Sequence, residues 1–287
     1  MFDVASPSDA GLSVHQRAVG ALRVSFKRRG VATVLDEFYQ SGCLKARLPR
    51  TPDGDWTTAV TLNTSGGIAG GDRLALSLSA AAGTRATVTA QAAERFYRSV
   101  AGGAASSVAT RIAVAEAASL EWLPQETILY DRCDVVRRLE VDLAPDAWFL
   151  GVESLVFGRA AMGETVETGS LRDLIRVRRG GALLLHDAIR MDGEVSAALG
   201  RVAVGRGARA MATLVHVAPD AETWRDGLRE ALAVCHAGAG LESGVSAWNG
   251  MLIARILAAD GAGLRRAVTA GLAVLRGTRP LPRVWQC

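Results

Sequence analysis

Apolar and polar residues alternate with a period of two through most of this chain, from about residue 20 to residue 218, and this limits its fold more than any other feature. Leu22, Val24 and Phe26 alternate with Arg23, Ser25 and Lys27. Leu74, Leu76 and Leu78 alternate with Ala75, Ser77 and Ser79, and Val88 and Ala90 with Thr87, Thr89 and Gln91. The same holds for Leu139, Val141 and Leu143 against Arg138, Glu140 and Asp142, and for Ile175 and Val177 against Arg176 and Arg178. Successive side chains of a strand point to opposite faces, so each run carries one apolar face and one polar face. Turn residues separate the runs at Pro52-Asp53-Gly54-Asp55, Ala82-Gly83, Ala144-Pro145-Asp146, Arg179-Gly180-Gly181 and Asp192-Gly193. No long helical pattern lies between them. The reading is a mainly β chain of many short strands in antiparallel or stacked sheets, not a doubly wound fold. No fixed-length repeat marks a regular solenoid.

The period changes near Pro219. Asp220 is placed to cap a helix whose apolar side is Trp224, Leu228, Ala231, Leu232 and Cys235. A second helix is predicted to open at Asp260, with a stripe of Leu264, Val268, Leu272 and Leu275, and to end at Gly277. Residues 246–258 between them read as a strand or extended segment. The whole chain, 1–287, is expected to form one domain, with a flexible N-terminal segment at 1–19 and both helices within 219–277.

At 287 residues, 49% of them hydrophobic and 22% charged, the chain can bury a substantial core and is far from the disordered regime. A net charge of +4 is spread over scattered arginines, and the short clusters Lys27-Arg28-Arg29 and Arg176-Val177-Arg178-Arg179 read as solvated strand ends, so no nucleic-acid partner is expected. Cys43, Cys133, Cys235 and Cys287 lack the spacing of a zinc site or a disulfide framework, which points to a reduced, cytoplasmic protein. The N-terminus shows no signal-peptide pattern. No apolar run reaches the roughly 20 residues of a membrane helix, so no membrane association is expected.

The segment Asn63-Thr64-Ser65-Gly66-Gly67-Ile68-Ala69-Gly70-Gly71-Asp72 lies between two predicted strands. Its glycines would suit a phosphate cradle, but that motif needs a Lys-Ser/Thr pair or a fingerprint opening a helix. Here Asp72-Arg73 leads into a strand, and the carboxylate would repel phosphate. A tight structural turn fits better, with Asp72 as a hard, accessible metal ligand or an interface anchor.

Charges also interrupt two apolar runs. Glu153 sits within Trp148–Phe157, and His186 and Asp187 sit within Leu183–Ile189. An unpaired buried carboxylate costs several kcal/mol, so each group needs a partner, an internal water or an ion. A buried ion pair, a strand end facing solvent, and an internal polar path for a cation all satisfy this, and the residues leave them open. Asp, Glu and His suit a borderline divalent metal, though no HxH, HExxH or CxxC fixes a permanent site. Glu126, Glu164 and Glu167 are secondary candidates that read more simply as surface residues. His15, His216 and His236 are isolated. Neither Cys43 nor Cys133 has a histidine assigned to it, and no GxSxG elbow occurs, so catalysis has no visible machinery.

Several segments, in order, resemble the urease accessory protein UreD (UreH) family. They are Tyr39 to Pro49 (YQSGCLKARLP), the Asn63 to Asp72 motif, and Thr87 to Ser99 (TVTAQAAERFYRS). Glu121 to Ile128 (EWLPQETI), Gly158-Arg159, Met162-Gly163-Glu164 and Arg279 to Trp285 (RPLPRVW) follow. Ala90 stands where a threonine is common and Arg95 where a lysine is. The resemblance implies a β-helix-like scaffold of stacked sheets with two helices near the C-terminal end. It also implies a non-enzymatic maturation chaperone that binds UreF, which recruits the GTPase UreG, and docks on the urease apoprotein. Transient Ni2+, with no resident cofactor, would pass through a channel to the urease site, where a lysine is carbamylated by carbon dioxide. Mapped onto this sequence, Asp72, Glu153 and His186 become polar points on that path, with Asp187 orienting His186. Arg279, Pro280, Arg283 and Trp285 become contacts for UreF. A dimer within the accessory complex is one arrangement the resemblance allows. The competing reading is a β-rich enzyme acting on a small polar substrate that shares the glycine loop by coincidence.

Overall fold

In the computed structural model, described for residues 17–50, 55–159, 162–236 and 240–286, the alternating segments become strands of two stacked sheets. The strands are β1 (Val19–Arg29), β2 (Ala32–Gly42), β3 (Leu44–Arg47), β4 (Thr57–Asn63), β5 (Arg73–Ala80), β6 (Arg85–Ala90), β7 (Glu94–Phe96), β8 (Ser106–Val114) and β9 (Ser119–Leu123). They continue as β10 (Thr127–Leu129), β11 (Asp134–Leu143), β12 (Trp148–Phe157), β13 (Thr168–Arg179), β14 (Ala182–Glu194), β15 (Ala210–Val217), β16 (Leu241–Trp248) and β17 (Met251–Ala258). The helices are α1 (Val195–Gly200), α2 (Arg225–Cys235) and α3 (Gly261–Arg276).

The first sheet has the order β14-β13-β11-β8-β5-β1-β2 and the second β16-β17-β15-β12-β9-β6-β4-β3, with β10 joining β7 to the end of β12. From β4 to β13 the chain passes back and forth between the sheets. Each return lays a strand parallel to the previous one in the same sheet, as in β5, β8, β11 and β13 or β4, β6, β9 and β12. That winding is the coil of a β-helix, closed at its ends by antiparallel strands. The expected mainly β, β-helix-like architecture with two C-terminal helices is observed.

The alternation has the predicted phase in the first sheet. Leu22, Val24, Phe26, Leu74, Leu76, Leu78, Leu139, Val141, Ile175 and Val177 are buried between the sheets against Leu120, Phe149 and Leu155. The second sheet is covered on its other face by α2 and α3. Leu150, Leu214, Leu252 and Ile256 pack there against Leu228, Leu232, Leu264 and Leu272. Burying each such side chain contributes about 1.5–3 kcal/mol. Thr87 and Thr89, expected on a polar face, are buried because that face of β6 lies under the C-terminal layer.

The helix ends show which local signals hold. Asp260 caps α3, its Oδ1 accepting the Gly263 N–H at 2.6 Å, and Gly277 at φ 61° ends it. Asp220 makes no such cap. A 3-10 turn, Ala221–Trp224, precedes α2, and the Asp220 carboxylate instead accepts the Trp224 indole N–H at 3.3 Å. Asp192-Gly193 is not a turn but continues β14, paired with Ser170 and Gly169. The extended segment at 246–258 is two antiparallel strands, because Asn249 and Gly250, both at positive φ, make a hairpin turn. Residues 1–16 of the segment expected to be flexible, His15 among them, lie outside the described residues. So do Cys287 and the Pro52-Asp53-Gly54 part of one expected turn. Among the described residues no helix is long and apolar enough to cross a membrane.

Candidate functional site

Three strands bring together a buried charge cluster between the sheets. Arg137 on β11 shares the inward phase of Val135, Leu139 and Val141, and Asp173 on β13 shares that of Leu171, Ile175 and Val177. The parallel register places these two residues side by side. Glu153 on β12 reaches them from the facing sheet. The Arg137 guanidinium holds Asp173 through Nε to Oδ1 at 3.2 Å and Nη2 to Oδ2 at 3.0 Å, and Nη2 also donates to Glu153 Oε2 at 2.7 Å. Its Nη1 donates to Thr127 Oγ1 at 2.5 Å, and the Trp122 indole N–H donates to Glu153 Oε1 at 2.7 Å. Burial pushes the Glu153 carboxyl above its ordinary value, outweighing Arg137. Burial also works against the Arg137 charge, but Asp173 and Glu153 together more than offset it and hold the guanidinium charged. Glu153 is therefore in an ion cluster rather than unpaired.

Two cavities flank this cluster. One, of about 270 Å³, is lined by Asn63, Glu94, Trp122, Thr127, Arg137, Glu153 and Asp173 among others. The second, of about 220 Å³, is lined by Glu153, Asp173, Asp187, Thr213 and Arg255 with apolar neighbours. Glu153 and Asp173 belong to both walls. The lining acids Glu94, Glu153, Asp173 and Asp187 are buried or half-buried, whereas among the lining bases only Arg137 is; Arg95, Arg138 and Arg255 are exposed. Burial raises the Glu94 carboxyl, which accepts from Asn63 Nδ2 at 3.0 Å. The interior thus concentrates carboxylate oxygens where water is partly excluded.

The glycine segment has a different task. Ile68 N–H donates to the Arg95 carbonyl at 2.7 Å and Tyr97 N–H to the Ile68 carbonyl at 2.8 Å, while the Tyr97 hydroxyl donates to the Gly66 carbonyl at 2.7 Å. Gly67, at φ 148°, lies against the Tyr97 ring with no space for a Cβ, and a Cβ on Gly70 would sit 2.8 Å from Ser99 Oγ. The glycines let this loop seat on the segment Arg95 to Ser99. Asp72 is buried, and its Oδ1 accepts the Ala18 N–H at 2.7 Å and its Oδ2 the Ala69 N–H at 2.8 Å. Its carboxylate ties the loop to the start of β1 and lines neither cavity. It is not displayed at a surface as the sequence suggested.

His186 and Asp187 separate for the reason adjacent strand residues always do. His186 is exposed on the outer face of β14, while Asp187 points inward, pairs with Arg255 and lines the second cavity. Asp187 therefore does not orient His186, and His186 lies away from both cavities. Glu126 pairs with Arg265 at 3.0 Å and Glu164 with Arg159 at 2.6 Å, while Glu167 is exposed. His216 is buried with Nδ1 3.0 Å from the Phe149 carbonyl, and His236 lies 2.9 Å from Ser243 Oγ. Burial pushes the Cys133 thiol up to about 12, the opposite of an activated nucleophile. Among the described residues no group of three or more His, Cys, Asp or Glu could hold a metal ion.

The C-terminal tail is pinned by a second buried cluster. Arg276 donates from Nε and Nη2 to Glu121 at 2.9 and 3.1 Å, Arg279 pairs with the same carboxylate, and the Pro280 carbonyl accepts from Arg276. Arg279 also stacks on Trp56, 3.6 Å from its ring centre. Trp285 is only 5% exposed and donates its indole N–H to the Leu123 carbonyl at 3.1 Å, so it is a core anchor rather than surface. Pro280 and Arg283 are exposed.

Fold and site define a class: a β-helix scaffold whose interior carries carboxylates between two cavities, with a tail locked onto its helical layer. The family model for the UreD urease accessory protein matches residues 18–286. Urease accessory protein UreD of Methylobacterium sp. (strain 4-46) is 48% identical over 258 residues, 90% of each chain. Those of Sinorhizobium medicae and Azorhizobium caulinodans are 46% and 45% identical, covering 94% and 96% of this chain and 96% and 99% of their own. The chain belongs to the UreD urease accessory protein family.

Proposed function

We propose that this protein serves urease maturation as a scaffold and a conduit: it binds the urease apoprotein, joins UreF and through it UreG, and passes Ni2+ through its interior. What supports the conduit is the pair of cavities that share Glu153 and Asp173. Carboxylate oxygens suit a borderline divalent cation, and a partly dehydrated interior strengthens their pull. Glu94 lines the first cavity and Asp187 the second, so each cavity carries a carboxylate of its own besides the shared pair. Nickel is cargo here, held transiently, and the protein performs no chemistry on it. The cytoplasm is the setting this reading requires. Pro280 and Arg283 are the tail residues we assign to the UreF contact; Arg279 and Trp285 hold the tail in place. Coexpression of urease, UreF and UreG with this chain or its Glu153→Gln variant tests the conduit. Nickel per urease site should fall sharply with the variant although the complex assembles; full loading would remove the conduit.

A further inference from the structure

The two cavities share Glu153 and Asp173 in their walls, and the Arg137 guanidinium, which lines the first, bridges these two carboxylates. Arg137 Nη2 lies 2.7 Å from Glu153 Oε2 and 3.0 Å from Asp173 Oδ2, so one nitrogen fills the place between the carboxylates that a bridging cation would take. We propose that Arg137 is a displaceable plug, and that Glu153 and Asp173 form a transient two-carboxylate site for a divalent cation when it swings aside. The proposal rests on the conduit above and adds its point of control.

Charge decides that the events are exchange rather than addition. Two carboxylates and one guanidinium carry a net charge of −1. A divalent ion in place of the guanidinium gives zero, whereas both together give +1 in a buried site, which is costly. The geometry also gives the guanidinium a direction to move. Arg137 and its hydrogen-bond partner Thr127 line the first cavity and not the second, so the side chain can retreat into a space of about 270 Å³. Glu153 need not follow, because the Trp122 indole holds its other oxygen at 2.7 Å.

Equilibrium dialysis of the full chain against Ni2+ tests this with wild type, Arg137→Gln, Arg137→Lys and the double variant Arg137→Gln/Glu153→Gln. Arg137→Gln removes the competing charge and should bind one Ni2+ at least about tenfold more tightly than wild type, and the double variant should lose that gain. Arg137→Lys keeps the charge but loses the guanidinium's forked hold on Asp173 and its bond to Thr127, so it should be displaced more easily and gain severalfold; it decides the matter if the glutamine variant does not fold. A folded Arg137→Gln or Arg137→Lys protein with wild-type affinity, or a gain that survives Glu153→Gln, overturns the plug. Urease loading separates the two ideas: normal loading with Glu153→Gln removes the conduit, while unchanged Ni2+ affinity removes only the plug.

Discussion

Replacing Asp72 separates a structural carboxylate from a metal ligand. Both oxygens are committed, Oδ1 to the Ala18 N–H at 2.7 Å and Oδ2 to the Ala69 N–H at 2.8 Å, in a residue that is 5% exposed. A hydrogen bond to a charged acceptor is worth about 1.5–3 kcal/mol. Asparagine keeps one acceptor and turns an amide N–H toward the other donor, so Asp72→Asn should lose one such bond, about 2 kcal/mol. Asp72→Ala loses both, and because Ala18 and Ala69 are half-buried and can recruit water, about 3 kcal/mol is expected rather than the doubled value. With a urea m-value of about 3 kcal/mol/M, the midpoints should fall by about 0.7 M and 1 M. Urea unfolding followed by tryptophan fluorescence measures this. A shift for Asp72→Asn below about 0.2 M, together with reduced nickel loading of urease, would refute the structural role and restore Asp72 as a ligand.

Three further outcomes follow from the same contacts. Glu121→Ala leaves the buried Arg276 guanidinium without its carboxylate and should cost about 3–5 kcal/mol and expose the tail to protease, measurable by thermal melting and limited proteolysis. Gly67→Ala forces a Cβ into the Tyr97 ring at a positive φ and should weaken the loop's seat on Arg95 to Ser99; unchanged hydrogen exchange at Ile68 and Tyr97 would contradict this. Burial lowers the His216 pKa below 6.5, so the folded state resists protonation and the unfolded chain takes the proton first. Its contribution is complete above about pH 6.5 and is lost as pH falls toward the folded value. The buried carboxyls Glu94 and Glu153, raised in the fold, act with the opposite sign, so His216→Gln should flatten the loss of stability between about pH 7.5 and 5.5. An identical pH profile would count against that.

Much of the scaffold is written in the period-two pattern, because each strand of the first sheet has one face toward a single core. The same pattern holds part of the site. Counting back two residues from Leu139 reaches Arg137, and two back from Ile175 reaches Asp173. The inward phase of the alternation therefore assigns both partners of Glu153 to the core face, even though each is charged. That two strands put them side by side is not legible, since Arg137 and Asp173 are parallel neighbours from positions 137 and 173, a full coil of the β-helix apart in sequence. His186 and Asp187 read as a pair in the chain yet must face opposite ways in a strand. Asp72 looks displayed because a glycine loop suggests exposure, whereas the glycines serve close packing on Tyr97 and Ser99. The short helix α1 has almost no sequence signal, because its six residues carry only Val195 and Leu199 as a buried i, i+4 pair.

The passage past Glu153 is the central claim, and nickel content of urease tests it most directly. Urease matured with UreF, UreG and this chain should carry its full nickel complement. Urease matured with Glu153→Gln, at equal recovery of the assembled complex, should carry little. Equal nickel in the two preparations would contradict the account.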